Sequence, residues 1–267
     1  MPSVDGNNAI DWGRTSADYA QHRPNYPDRF FDMLASLGVG LQGQRILDLG
    51  TGVGFLALQF ARRGAAVTGI DIAGGQIEEA RRRCAAIGLS VDFLVGRAER
   101  TELPSEAFDA VTASQAWLYF DTELAIAEVK RLLKPGGVLA TSHFCWLPRQ
   151  DRIARASEEL VLRYNPNWTG ADWAGQIPFM PKWAEGHFEL RGMCVFDEPI
   201  PFTRESWRGR IRACRGVGAT MPDDQIERLD CEHDSLLRAI TTDAFSVLHR
   251  VDAHILRPID AASQPAS

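Results

Sequence analysis

No pair of cysteines in this chain forms a CxxC motif. The five present, Cys84, Cys145, Cys194, Cys214 and Cys231, are odd in number and widely spaced. Zinc and dithiol redox sites therefore lack support, and no metal is expected. The same usage points to a reducing, cytoplasmic setting. No run approaches about 18 apolar residues, which excludes a transmembrane helix. A basic excess is missing too: the formal net charge is -6, so neither nucleic acid nor an anionic membrane is an expected partner. The opening MPSVDGNNAIDWGRTS lacks the basic-then-apolar pattern of a signal or anchor. There are no repeats and no low-complexity tracts. The tail AASQPAS reads as disordered.

What is present is a patterned chain of 267 residues, 45% hydrophobic and 24% charged. That length suits one large domain, or a domain with a subdomain. From Arg45 strands and helices alternate. RILDLG is a strand, and residues 54–63 a helix stopped by Gly64. AAVTGID is the next strand, and residues 75–87 a helix ending at Gly88. VDFLVGRA, FDAVTASQA and VLATSHF are strands three to five, with a helix capped by Asp121 before the last. Such alternation predicts a doubly wound, mostly parallel α/β sheet with helices on both faces. After Phe144 the pattern changes. Residues 149–164 read as a helix and residues 165–186 as aperiodic, rich in Pro, Gly and Trp. FELRGMCVFDEPIPF and FSVLHRVDAHILRP then add two late strands, with helices from Arg204 and Asp223 between them. The expected organisation is a Rossmann-like, seven-stranded core over 41–146 and 187–260. Lid helices over 1–40, a cap insertion over 147–186 and a tail over 261–267 complete it.

The stretch ILDLGTGVGF places Gly50, Gly52 and Gly54 directly after the first strand. In an open parallel sheet, ligands sit beyond the carboxyl ends of the strands. Glycines there let the backbone bend and approach a ligand, and the next helix aims free N–H groups at it. Twenty-one residues after Gly50, the second strand ends in Asp71, placed to accept both hydroxyls of a ribose. The dinucleotide fingerprint G-x-G-x-x-G fails, because its sixth place is Phe55. The glycines follow G-x-G-x-G instead, with Asp48 two residues before them. An acid there is unhelpful beside a pyrophosphate and useful beside a cation. S-adenosylmethionine carries a sulfonium and an ammonium and no phosphate. A triphosphate-binding G-x-x-x-x-G-K-[ST] is also missing.

LDLGTGVG, TGID, GRAERTELPSEAFDAV and KRLLKPGGVL stand in order at the spacing of class I S-adenosylmethionine-dependent methyltransferases. The chain resembles the subgroup that includes ubiquinone- and menaquinone-pathway enzymes and many natural-product methyltransferases. The resemblance covers about residues 15–145. It implies Asp48 near the methionine ammonium and Gly50, Gly52 and Gly54 around the methionine and ribose. It also implies Asp71 on the ribose hydroxyls, Ile72 and Gln76 against the adenine, and Ala98 and Glu99 at its edge. Arg97 stands where the family often has an acceptor, so the adenine edge must be met otherwise. Ser114 and Gln115 would end strand four beside the transferred methyl. SADYAQHRPNYPDRF resembles the family's lid, with Tyr19 and Arg23 covering the site.

Methyl transfer asks the protein to align an acceptor and exclude water. His143, at the end of strand five, is the candidate general base, set against a satisfied histidine at a strand end. Tyr19 is a candidate for orienting the acceptor. His22 is a weaker candidate than either, and His187, at the start of a late strand, reads as structural. Six of seven tryptophans fall between residues 117 and 207. Trp117, Trp146, Trp173 and Trp183 form the expected acceptor lining, the other reading being a small core of their own. Arg204, Arg208, Arg212 and Arg215 share one helical face. They read as a solvated face paired with Asp223, Asp224, Glu227 and Asp230, with an anionic partner as the rival. The function expected is methylation of a small molecule at O, N or C. A non-catalytic adenosylmethionine-binding module, a same-fold enzyme running other chemistry such as cyclisation, and a nicotinamide-dependent reductase are the rivals. Monomer and homodimer stay equally open.

Overall fold

The computed structural model describes Val4–Asp5, Asn8–Ala9 and residues 14–259. Val4–Asp5 and Asn8–Ala9 pair as a short antiparallel ladder. The main sheet comprises β1 (Arg45–Leu49), β2 (Ala66–Asp71), β3 (Asp92–Val95), β4 (Phe108–Ser114), β5 (Leu133–Trp146), β6 (Phe188–Thr203) and β7 (Ala244–Pro258). Their order is β3-β2-β1-β4-β5-β7-β6. The sheet is mostly parallel and closes with an antiparallel C-terminal hairpin. The expected doubly wound fold is thus present, with seven strands. Beyond Arg45, β1 is buried at every position. That is the near-continuous apolar run of a strand covered on both faces. Asp48 pairs with Gly69 of β2 on one side and Thr112 of β4 on the other. Strand order therefore reverses beside β1, the place where such sheets bind ligands.

The helices are α1 (Ser16–His22), α2 (Asp28–Ser36), α3 (Phe55–Arg62), α4 (Gly74–Ala86), α5 (Thr122–Leu132), α6 (Arg152–Tyr164), α7 (Arg204–Arg212) and α8 (Asp223–Ile240). Side-chain caps set several starts. Asp121 accepts from the Leu124 N–H ahead of α5. Asp151 accepts from the N–H groups of Ile153 and Ala154, which moves the start of α6 from the expected Arg149 to Arg152. Thr203 and Ser206 form a reciprocal cap on α7.

Contacts divide the chain into two units: 1–25, 145–176 and 196–250 form one, and 26–144, 177–195 and 251–267 the other. The second unit holds β1 to β4, α2 to α5 and the glycine loop. Its core joins Leu47, Leu49, Ile70, Val111, Leu139 and Leu256 to the inner face of α5. The first unit holds α1, α6, α7 and α8 around Trp207, which is fully buried. This division differs from the expected boundaries. Residues 177–186, read as insert, group with the sheet, while α7 and α8, read as core, group with α6. The tail read as 261–267 lies outside the described residues.

Candidate functional site

At the end of β1 the loop turns through three left-handed residues, Gly50, Gly52 and Gly54, with φ of 65°, 56° and 82°. Gly50 is required by packing, because a Cβ there would collide with Ala116. Gly52 is different: an added Cβ would meet only Gln76 Oε1, at 3.7 Å. Its side is open, so the loop presents bare backbone there. Asp71, at the end of β2, holds this loop. Its Oδ2 accepts from Gly52 N–H at 2.9 Å and its Oδ1 from Ala73 N–H at 2.9 Å. Burial raises the Asp71 carboxyl above its ordinary range, and these backbone donors oppose the rise.

Asp48 lies underneath the loop and is 2% exposed. It accepts from Thr51 Oγ1 at 2.7 Å and Thr112 Oγ1 at 2.6 Å. Burial pushes its carboxyl up to about 6, against the two hydroxyls. Asp48 therefore stitches the loop to β4, a structural role that the sequence reading did not give it. Beyond Asp71, Ile72 is exposed, and Val95 at the end of β3 is exposed as well. Together they give the loop apolar flanks. Gln76 is buried on α4. Ala98 is buried. Glu99 is tied back: its Oε1 accepts from the Asp121 N–H at 3.1 Å, and Arg97 lies 3.4 Å from its Oε2.

The ends of β4 and β5 run side by side, Ser114 opposite Ser142. Gln115 follows in a left-handed conformation, φ 55°, a strained state for a residue with a side chain. Its N–H donates to Ser142 O at 2.9 Å and its Nε2 to Phe144 O. Tyr26 completes the group. Its hydroxyl lies 2.6 Å from Ser114 Oγ and 3.4 Å from Ser142 Oγ, and its ring stacks on Phe30 and leans on Phe144. Sequence reasoning missed Tyr26. The available signal was an aromatic residue directly before Pro27, the N-cap of α2. On the other face of β5, His143 Nδ1 lies 3.0 Å from Asp252 Oδ2 on β7. The histidine side chain is 42% exposed and the aspartate 0%.

Other expected site residues are dispersed. Tyr19 belongs to α1, but its side chain lies outside the described residues. Arg23 belongs to the first unit, where burial above all, and the charges of Arg210 and Arg23 after it, depress the basicity of His249. The four tryptophans divide between the two units. Trp117 stacks on Trp183 at 4.2 Å, and Trp183 meets Phe188 edge-on, within the second unit. Trp146 belongs to the first unit, where its indole donates to Glu158 at 2.6 Å, carries Arg210 on its face and touches Trp207. Trp173 is half-buried in an irregular segment of that unit. The Trp146 N–H is satisfied on Glu158, whereas the buried Trp117 N–H has no hydrogen-bond partner among the described residues.

The arginine face is ion-paired, as the solvated reading expected, with different partners. Arg204 pairs with Asp243, Arg208 with Asp230 and Asp234, and Arg212 with Asp230 and Asp18; Arg215 bonds Thr169. Of the four expected acids Asp230 takes part, while Asp223 pairs with Arg14 and Asp224 with Arg228. A polar cavity of about 390 Å³ opens among Arg204, Arg208, Arg212, Arg238, Asp234 and Asp243. Its cations are already matched by acids. Among the described residues, no group of three or more His, Cys, Asp or Glu is arranged to hold a metal ion, and no helix is long and apolar enough to cross a membrane.

Residues 46–137 match the methyltransferase domain family model. An uncharacterised methyltransferase of Mycobacterium tuberculosis is 33% identical over 150 residues, covering 56% of this chain and 57% of its own. A ubiquinone biosynthesis O-methyltransferase of Dinoroseobacter shibae is 37% identical over 133 residues, 49% of this chain and 53% of its own. A demethylmenaquinone methyltransferase of Thermus thermophilus is 45% identical over 104 residues, 38% of this chain and 47% of its own. The chain thus spans about half the length of the curated relatives it matches. In fold it is similar to a provisionally assigned type II methyltransferase from Anaeromyxobacter dehalogenans, with TM-score 0.61 and 23% identity over 88% of this chain and 97% of that one. It is also similar to the [4+2]-cyclase SpnF, with TM-score 0.50 and 21% identity over 90% and 84% of the two chains.

Proposed function

With residues 46–137 being a methyltransferase domain, we propose that the chain transfers a methyl group from S-adenosyl-L-methionine to a small-molecule acceptor, releasing S-adenosyl-L-homocysteine. The observation that carries this reading is the arrangement at Asp71. Its carboxylate is fixed by Gly52 and Ala73 N–H groups beside the open face of Gly52 and the exposed side chain of Ile72. Each carboxylate oxygen keeps a second lone pair for a ribose hydroxyl. The bare backbone at Gly52 admits the sugar and methionine chain, and Ile72 and Val95 supply an apolar bed for a purine. No lysine or arginine stands in the loop, which fits a cation without phosphates.

When bound, the cofactor supplies a methyl group already activated by its positive sulfur. The chain's own residues then position and desolvate. Asp48 and Asp71 fix the loop, and Tyr26, Ser114 and Gln115 define the end of β4, where the acceptor would approach. The cytoplasmic setting, the small-molecule acceptor and the lack of a metal requirement belong to this same reading. The curated relatives named for ubiquinone and menaquinone steps support a small cyclic acceptor.

The likeness to a [4+2]-cyclase favours one second reading, the same fold and cofactor serving a ring closure. Titration calorimetry with S-adenosylmethionine, S-adenosylhomocysteine and NADH tests the first step. Binding of the two sulfur compounds and not of NADH is expected, and the reverse overturns the proposal. Methyl-labelled cofactor incubated with a metabolite extract tests the second step. Label in a small product supports transfer. Bound cofactor with no labelled product and a rearranged acceptor favours the cyclase reading.

A further inference from the structure

Gln76 and Asp71 meet at one glycine. Asp71 Oδ2 accepts from the Gly52 N–H at 2.9 Å. On the open side of the same residue, a Cβ built on Gly52 would stand 3.7 Å from Gln76 Oε1. Among the described residues, no other atom beyond the chain neighbours of Gly52 comes within 4 Å of that point. The space that the loop leaves there is therefore bounded by one amide oxygen. All three residues belong to the second unit.

Gln76 is fixed in place by its element. It lies in the first turn of α4, where its N–H donates to Ala73 O at 3.0 Å. Ala73, the N-cap, is itself held through its N–H by Asp71 Oδ1. One carboxylate thus sets the start of α4 as well as the loop. Gln76 is 5% exposed, so close packing leaves its side chain little room to turn elsewhere.

Whatever fills the space at Gly52 covers this oxygen from water. A covered amide oxygen is costly unless the cover brings a hydrogen bond with it. The ligand group there has to be a donor. The face of a purine ring offers no donor, and the exposed Ile72 and Val95 already give it an apolar bed. A sugar hydroxyl meets the demand. The acceptor is also better neutral than charged. Burial already raises the Asp71 carboxyl, and a second carboxylate facing the same glycine would raise it further.

We propose that Gln76 reads the ribose of the cofactor: its Oε1 accepts a hydrogen bond from one of the two ribose hydroxyls, so that the diol is not left to Asp71 alone. This rests on the methyl-transfer reading above. It replaces the expected packing of Gln76 on the adenine, and it makes the side chain a discriminator against cofactors that lack that hydroxyl.

The test is titration calorimetry on the full chain with S-adenosylhomocysteine and its 2′-deoxy and 3′-deoxy forms, in wild type and Gln76→Met. Methionine keeps the length of the side chain and removes the acceptor. Loss of the hydroxyl that Gln76 reads should weaken binding to the wild type. It should weaken binding to Gln76→Met by a factor about two- to tenfold smaller, the worth of one hydrogen bond. Loss of the other hydroxyl should weaken both proteins equally. Equal factors in the two proteins for both analogues, or tighter binding of S-adenosylhomocysteine by Gln76→Met, overturn the proposal. Wild type with ¹³C-labelled glutamine supplies a second readout, needed should the buried variant fold poorly. The Gln76 side-chain carbonyl signal should move on binding S-adenosylhomocysteine and move less with one of the deoxy forms. A signal that responds alike to all three overturns the role. Failure of the wild type to bind S-adenosylhomocysteine at all removes the methyl-transfer reading instead, so the two failures are distinct.

Discussion

The Tyr26 hydroxyl lies 2.6 Å from Ser114 Oγ, tying the residue before the N-cap of α2 to the last residue of β4. The ring behind it is held by Phe30, Phe31 and Phe144. Tyr26→Phe keeps that packing and deletes only the hydroxyl. The expected loss is about 1 kcal/mol of stability, the ordinary worth of one partly buried hydrogen bond. Denaturant unfolding of the two proteins measures it. A larger effect should appear in turnover, because Ser114 and Ser142 lose the group that fixes their hydroxyls.

The proposed function gives Asp71 a second role beside its clamp on Gly52 and Ala73, so its substitutions separate. Asp71→Ala removes the clamp and, on that proposal, a ligand acceptor. Affinity for S-adenosylmethionine should fall about ten- to a hundredfold, from about 1.5–3 kcal/mol of lost charged hydrogen bonding. Asp71→Asn keeps one backbone acceptor and should retain the loop better. Calorimetry with both variants decides. Equal affinity in wild type and Asp71→Ala would leave Asp71 as a structural clamp alone.

Acid should act on two parts of the chain with opposite signs. The Asp48 carboxyl is raised to about 6 by burial, above its ordinary 3.8. Between about pH 4 and pH 6 the folded chain binds the extra proton, so this residue's contribution to stability falls as pH rises through that window and is flat above it. His233 and His249 are each 1% exposed and lowered by burial to about 4 and about 3. There the unfolded chain takes the proton first. Their contribution is complete above about pH 6.5 and is lost as pH falls, by up to about 1.4 kcal/mol per unit for each histidine. Urea unfolding from pH 7.5 to 4.5 should show a net acid loss. Asp48→Asn should steepen that loss, and His233→Gln should make it shallower.

The parallel half of the sheet was legible because its strands are apolar runs bounded by glycine; α5 also begins at a capping acid, Asp121, whereas α3 and α4 start at Gly54 and Ala73 without a side-chain cap. The glycine loop was legible for the same reason, since G-x-G-x-G after a strand has few uses. What stayed hidden depends on partners far apart in sequence. Tyr26 meets Ser114 across 88 residues and His143 meets Asp252 across 109. No local period marks either pair. The tryptophans are close in sequence, yet Trp146 and Trp183 belong to different units. For Asp48, the sequence shows an acid near a loop but not the Thr112 hydroxyl beneath it.

The alternation of the two contact units along the chain bears on how this protein is open to rearrangement. The path passes from one unit to the other after residues 25, 144, 176, 195 and 250. Three of the five transfers happen inside a continuous strand, within β5, β6 and β7. The region after β5 is therefore no detachable cassette. Excising residues 147–186 would take away α6, whose Ser157 receives the Trp207 indole N–H and bonds His233. It would strand Trp207 and Leu237, both fully buried, without their cover. Recombination between relatives at those junctions would have to exchange several separate segments at once. Residues 145–176 and 196–250 are thus expected to change together or not at all.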